Sequence, residues 1–366
     1  MTDDPAALTE RWLARARELG FAAVGVCEAA PSPYADEVRR WIAEGRHGSM
    51  AWLAETIEAR LDPRRLLEGA RSVLCIADRY AGPGRDPEPP AWPPRGRVAR
   101  YARGEDYHEV MRRRLRRLAA EIRAEHAGHD CRIACDLLPI LERELAARAG
   151  LGRIGKHTLL IESAGTSYLV LGEILTTLEL VPSAPIGGDP CADCTRCIDA
   201  CPTEAITPYS VDASRCLAYS TIEHRGALDE RFWNATGEWL FGCDICQEVC
   251  PHVAPTRAKR RLPINDAYAP RFERGLDLLA ILGWSERDRL AATVRSALRR
   301  ATLPMLKRNA IVCLVAAARR LGPERVAAIR ARLERVAGDP DEDALVRSTA
   351  RSGLERLAAG RVQETV

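Results

Sequence analysis

The chain has 366 residues, 46% of them hydrophobic, with 13 cysteines and lysine at only three positions, so arginine carries most of the basic charge. No apolar run is long enough to cross a bilayer and residues 1–10 lack a basic start followed by an apolar core, which argues against a membrane or secreted protein and for a cytoplasmic one of two or three domains. Charge divides along it, with 31 Lys and Arg against 38 Asp and Glu up to residue 250 and 23 against 13 beyond; a basic end of that size fits a nucleic-acid partner, the plainer alternative being solvated arginine faces of helices.

In chain order, "AALTERWLARARELG" sets Leu8, Trp12 and Leu19 on one helical face and stops at Gly20, and "FAAVGVCE" follows as a strand. "RSVLCIADRY" reads as a second, buried strand. Residues 81–96, "AGPGRDPEPPAWPPRG", are too rich in Pro and Gly for either element and are expected as a loop. "EVMRRRLRRLAAEIRAEHAG" is a predicted helix with Val110, Leu115, Leu118 and Ile122 inward beneath an arginine-rich face. A strand "RIACD", a helix "PILERELAARAG" and strands in "HTLLIES" and "TSYLVLGEILTTLEL" complete the first half. Helices and strands mix without a regular βαβ rhythm, so residues 1–180 are expected as an α+β domain. Residues 181–262, entered through "VPSAPIGGDP", hold a cysteine block. Beyond Pro263 strands fade, and helical runs of similar length, among them "LDLLAILGW", "SERDRLAATVRSALRRA" and "LPMLKRNAIVCLVAAARRLG", are expected to stack over 263–366 as a short helical solenoid.

The block "CADCTRCIDACP" carries Cys191, Cys194, Cys197 and Cys201 in the C-x2-C-x2-C-x3-C-P spacing of bacterial ferredoxins, whose fourth cysteine crosses to a second cluster. Cys216 and "CDICQEVCP", with Cys243, Cys246 and Cys250, supply the second set. The exchange assigns Cys191, Cys194, Cys197 and Cys250 to one 4Fe-4S cluster and Cys201, Cys216, Cys243 and Cys246 to the other. A pair of zinc sites is the alternative, but zinc modules seldom use a three-cysteine run closed by C-P. The long segment between Cys216 and Cys243 is expected at a cluster edge, where a substrate or cofactor could be met. Cys27, Cys75, Cys131, Cys135 and Cys313 sit in apolar contexts and read as core. Two clusters move single electrons over short distances, and a simple carrier would not need so much further chain.

With "GLGRIGKHTLLI", "LGEILTTLEL", "IEHRG", "FGCDICQEVCP" and "RRATLPMLKRNAIVCL" read together, the chain resembles the epoxyqueuosine reductases, cobalamin-dependent enzymes of tRNA modification, from about residue 10 to about residue 320. The resemblance implies a cobalamin-binding catalytic domain over 1–180, a ferredoxin-like domain over 181–262 and a HEAT-like domain over 263–366 that holds the tRNA anticodon stem-loop. It implies Co(I) cobalamin fed by the clusters, attack on an epoxide carbon, and a monomer taking electrons from a donor such as a flavodoxin or ferredoxin.

By the same resemblance Asp136, in "CDLLP", protonates the epoxide oxygen; desolvation at a strand end would raise its pKa, though an Asp here could also be a helix cap. Asp106, Tyr107 and His108 match a D-Y-H at the active-site edge, Arg60 is directed toward the corrin, and Gly242, Cys243 and Asp244 lie where the second cluster faces it. Lys156 and His157 are candidate contacts to cofactor or tRNA phosphate. Arg299, Arg300, Lys307 and Arg308, with Arg257, Lys259, Arg260 and Arg261, are candidate tRNA contacts. Alternative functions are cobalamin-dependent reduction of a small halogenated molecule, and electron carriage without catalysis.

Overall fold

The computed structural model describes residues 4–83, 86, 90–163, 165–253, 263–272 and 275–359. Arg257, Lys259, Arg260 and Arg261 therefore lie outside the described residues. The first helix, Pro5–Glu18, starts where the Asp4 carboxylate accepts the Ala6 N–H, with Pro5 in the first turn, and it buries Leu8, Trp12, Leu13 and Ala16.

Four of the strand signals of the first half join into one antiparallel sheet ordered Ala23–Glu28, Ser72–Arg79, Leu169–Thr176, Cys131–Ala134, while the strand in "HTLLIES", Leu160–Glu162, pairs apart from it with Gly152–Ile154. Ser72–Arg79 is buried at every residue because both faces of the sheet are covered. Leu74, Ile76 and Ile174 pack with Met111, Leu115, Leu118 and Ile122 of the helix Tyr107–Glu125. On the opposite face Val73, Cys75, Ala77 and Leu175 meet Leu145 and Ala146 of the helix Glu142–Arg148. The loop between the strand ending at Ala134 and the helix starting at Glu142 thus emerges at one edge of this layered core, carrying Asp136.

The two cysteine runs meet where the short helical turns Arg196–Asp199 and Ile245–Glu248 pack together. The segment between Cys216 and Cys243 is partly core, with residues 225–227 and 229–231 exposed. Leu217, Phe232, Trp233, Trp239, Leu240 and Phe241 are buried among the C-terminal helices. Strand Trp239–Phe241 runs parallel to Arg95–Val98, so the end of the Pro-rich stretch is strand rather than loop.

The C-terminal region is helical, but less uniformly than its sequence suggests. Leu303–Ala318, Pro323–Gly338 and Ala344–Ala358 are the long helices. Leu276–Asp277, read as helix, instead pairs antiparallel with Arg95 and Gly96. "SERDRLAATVRSALRRA" breaks into the helix Glu286–Ala292 and the 3-10 turn Ala297–Arg300. The break is at Arg295, whose φ of 52° is left-handed; its carbonyl accepts the Asp106 N–H at 2.8 Å, and the Ser296 hydroxyl donates to the Ala102 carbonyl at 2.6 Å. A tertiary bond at the head of helix Tyr107–Glu125 has overridden local helical preference. The whole is a mixed α/β fold with a helical C-terminal region.

Candidate active site and cluster ligands

Asp136 is a non-glycine residue at φ 54°, and its side chain is 58% exposed. Its Oδ2 accepts the Tyr107 hydroxyl at 2.5 Å and stands 3.4 Å from His108 Nε2, while its backbone N–H donates to Glu142 Oε1 at 2.5 Å. Asp106 caps the helix through the His108 N–H at 3.1 Å, and the same oxygen meets His108 Nδ1 at 2.7 Å. The capping and functional readings of Asp106 are therefore both present in one side chain. Tyr107 and His108 stack with ring centroids 4.0 Å apart, so the tripeptide presents two proton donors to one carboxylate.

The electrostatics correct one expectation. Burial pushes the Asp136 carboxyl up, but the His108 and Tyr107 hydrogen bonds and the His108 charge outweigh it and hold the group below the usual carboxylate range. Asp136 rests as an anion. Nor is it a helix cap, since the following helix begins at Glu142 with Leu141 before it. Although burial acts to lower it, the His108 imidazolium persists to about pH 9 through its bonds and attraction to Asp106 and Asp136. Sequence reading missed Glu142, a carboxyl pushed up to about 7 by burial and then by the Asp136 charge. The "ER" following "CDLLPIL" was its only trace.

Arg60 stacks over Trp52 with its guanidinium carbon 5.1 Å from the ring centroid, and it feels the charges of Asp136 and Glu142. Arg300 is half exposed, paired with Glu223 at 2.7 Å, and also feels Asp136. Tyr101, also unread in the sequence, stands between the site and the second cysteine run, its ring 6.0 Å from Tyr107 and 6.2 Å from Phe241. Cobalamin carries a rim of carboxamides; with Tyr107 and His108 bound to Asp136 and Asp106 and Arg300 paired with Glu223, the Arg60 guanidinium beside this open edge is the donor that fits such a group.

The eight cluster cysteines fall into two neighbourhoods. Burial, then the charges of Cys191, Cys250 and Cys194, push the Cys197 thiol up to about 11. Burial raises Cys246 as well, with Cys216, Cys197 and Cys201 among the neighbouring charges, and Cys243 feels Cys246 and Cys216. Thiols this costly to ionise alone need a cationic group among them, and iron-sulfur clusters fit that donor set. Backbone N–H groups already face the sulfurs, Lys156 toward Cys191 and Ala205 toward Cys201, each at 3.3 Å. A cubane holds its thiolates at separate corners, and among the described residues no three Cys, His, Asp or Glu side chains close on a point fit for a single ion. The other five cysteines, Cys27, Cys75, Cys131, Cys135 and Cys313, are buried.

Several candidates have other work. Lys156 donates its ammonium to the Ala192 carbonyl at 2.6 Å, bracing the first cysteine loop. His157 is buried and held neutral, its pKa lowered to about 4 chiefly by burial, so it has neither the access nor the charge for a phosphate. The Asp244 side chain turns inward and accepts the Arg100 N–H at 2.7 Å. Lys307 and Arg308, expected to meet tRNA, are buried: Lys307 pairs with Glu342 at 2.5 Å, and Arg308 donates to the carbonyls of Ser220, His224 and Gly226. Arg299 and Arg300 are exposed.

Gly242 joins the second cysteine run to the site. Its φ is 69°, a Cβ there would stand 2.5 Å from the Ala99 Cβ, and its N–H donates to Thr221 Oγ1 at 3.0 Å. Gly242→Ala is expected to cost about 2–3 kcal/mol from left-handed strain and overpacking. A lowered melting temperature with reduced iron per chain checks this; a variant as stable as the parent refutes it.

Residues 60–136 match the family model "Epoxyqueuosine reductase QueG, DUF1730", and residues 190–253 match "4Fe-4S double cluster binding domain". The epoxyqueuosine reductase of Xanthomonas campestris pv. campestris is 40% identical over 317 residues, covering 85% of this chain and 87% of that one. This chain belongs to the epoxyqueuosine reductase family. The Pseudomonas aeruginosa epoxyqueuosine reductase is 37% identical over 314 residues, covering 85% of this chain and 86% of its own. Among solved structures, an epoxyqueuosine reductase with an epoxyqueuosine-modified tyrosine tRNA stem loop superposes with a TM-score of 0.83 at 27% identity, over 96% of this chain and 90% of that chain.

Proposed function

We propose that this chain reduces epoxyqueuosine to queuosine at the wobble position of tRNA, in the cytoplasm and as a monomer, with electrons passing through two 4Fe-4S clusters to a cobalamin. Residues 1–180 form the catalytic part, 181–262 the ferredoxin-like part and 263–366 the tRNA-holding part; a flavodoxin- or ferredoxin-type protein supplies the electrons. The observation that carries the reading is the meeting of Asp136, its donors Tyr107 and His108, and the Tyr101 bridge to the Phe241–Cys243 strap at one open edge. Among the described residues no helix is long and apolar enough to cross a membrane.

Turning an epoxide into an alkene takes two electrons and two protons and releases water. Bound cobalamin supplies a reduced cobalt centre nucleophilic toward an epoxide carbon. The chain supplies the alignment and both protons through Asp136, one at ring opening and a second, after His108 has been reprotonated, for the hydroxyl to leave as water. Asp136 is exposed and anionic at rest, with a proton in store on His108. A nucleoside settling over it excludes water, raises its proton affinity and draws that proton across toward the epoxide oxygen. The acid is thus charged by substrate arrival, not by burial in the resting fold. Arg299 and Arg300 take phosphates of the stem-loop, and the wobble nucleoside turns out of its single-stranded loop to reach Asp136.

The test is to give anaerobic, cobalamin-loaded protein a chemical reductant and epoxyqueuosine tRNA, then read the wobble nucleoside by mass spectrometry. Loss of one oxygen is expected. Unaltered epoxyqueuosine after the clusters have been reduced would overturn the reading.

A further inference from the structure

In the loop from Cys135 to Leu141, Cys135 and Ile140 are buried in the core and Leu138 packs partly against it, which leaves Asp136 and Leu137 as its exposed part. Leu137 is an exposed large apolar residue, and Asp136 adopts a left-handed backbone, a conformation that a short polar side chain tolerates better than most. Its carboxylate is tied to Tyr107 and His108, but those bonds fix the end of the side chain and leave the backbone free to rotate. Between the buried Cys135 and Ile140, the Asp136 backbone N–H is held by a carboxylate from the next helix. Glu142 Oε1 receives the Asp136 N–H at 2.5 Å. Glu142 is the first residue of the helix Glu142–Arg148, which the sheet anchors through Leu145 and Ala146, so this bond refers the loop to a rigid frame.

We propose that Glu142 is a positioning residue for the reduction, clasping the Asp136 backbone so that its carboxyl points at the reacting oxygen. The inference rests on the assignment of Asp136 as proton carrier above. A charged carboxylate accepts an N–H about twice as strongly as a neutral group does, so the clasp is firm while Glu142 is ionised and slackens when it is protonated. The groups that face Glu142 set where this happens: Asp136 and Cys135 from the loop, Arg143 from its own helix, Tyr107 and His108 from Tyr107–Glu125, Glu173 from the sheet, and Arg60. Their balance with burial puts the titration at about 7. The sign follows: the clasp is whole above that pH and is lost as pH falls through it.

The experiment compares Glu142→Ala, Glu142→Gln and Asp136→Asn in the full chain loaded with clusters and cobalamin. Glu142→Ala is expected to lower kcat roughly 10–100-fold, the cost of a misplaced group, with KM for the stem-loop unmoved. Glu142→Gln accepts the Asp136 N–H only as a neutral group, as protonated Glu142 would, so its kcat should match the parent's reduced value on the acid side of pH 7 and show no fall through that pH. Wild-type kcat in Glu142→Ala overturns the proposal. Should that variant fail to fold, Glu142→Gln decides: a retained acid-side fall also overturns it, and its disappearance supports it. Full activity in Asp136→Asn would instead remove the proton carrier itself, a separate failure.

Discussion

Asp136→Asn is expected to slow single-turnover reduction roughly 10²–10³-fold while leaving both clusters, cobalamin uptake and stem-loop binding in place. The substitution is nearly isosteric, so the left-handed backbone and its bond to Glu142 survive. What changes is the acceptor that two donors share. Tyr107 and His108 both point at Oδ2, and an amide has one oxygen to receive them and no place for a transferable proton. His108 also loses one of the two anions that keep it charged to about pH 9. Its pKa, followed by NMR, should fall in the variant, although Asp106 still supports it through Nδ1. A variant that turns over at the parent rate, or one whose His108 titrates unchanged, would mean that the carboxylate is not where the proton passes.

The 4Fe-4S double cluster domain was legible because the C-x2-C-x2-C-x3-C-P run is a local pattern of spacing. Part of the sheet was legible too: the short apolar run within Ser72–Arg79, too short for a buried helix and β-branched at Val73 and Ile76, fits a strand covered on both faces. Glu142 and Tyr101 were not legible, since each acts through a partner brought near by the fold, and an "LER" at a helix start looks like any charged first turn. Arg295 shows the same limit for backbone. Its break in a periodic helical run serves Asp106 N–H, far earlier in the chain. The burial of Lys307 and Arg308 did have a signal. "AIVCLVAAA" leaves the helix no polar face, and a helix apolar on every side is surrounded, so any charge on it must find its partner inside.

Arg308→Met is therefore expected to lower stability by about 3–5 kcal/mol, from buried acceptors left without donors. Arg308 is fully buried, and among the described residues it makes no ion pair with a carboxylate. Its guanidinium instead feeds the carbonyls of His224 at 2.7 Å, Gly226 at 2.6 Å and Ser220 at 2.7 Å, with Asn309 Oδ1 taking two further bonds. Burial lowers its pKa to about 10, still charged at neutral pH. Asn309 continues the seam to the Thr221 and Leu240 carbonyls, and the Thr221 hydroxyl in turn receives the Gly242 N–H. Methionine fills much of the volume and supplies none of these donors, so slack at 220–226 passes to Gly242 and to Cys243 beside it, the residue proposed to hold the second cluster. Calorimetry should show a lower Tm, and iron analysis a deficit confined to the second cluster. A phosphate contact would behave otherwise: melting and iron would be unchanged, and stem-loop affinity would weaken with a shallower dependence on salt. That second pattern would return Arg308 to the RNA surface and refute its role as the stitch between the C-terminal helices and the cluster-bearing segment.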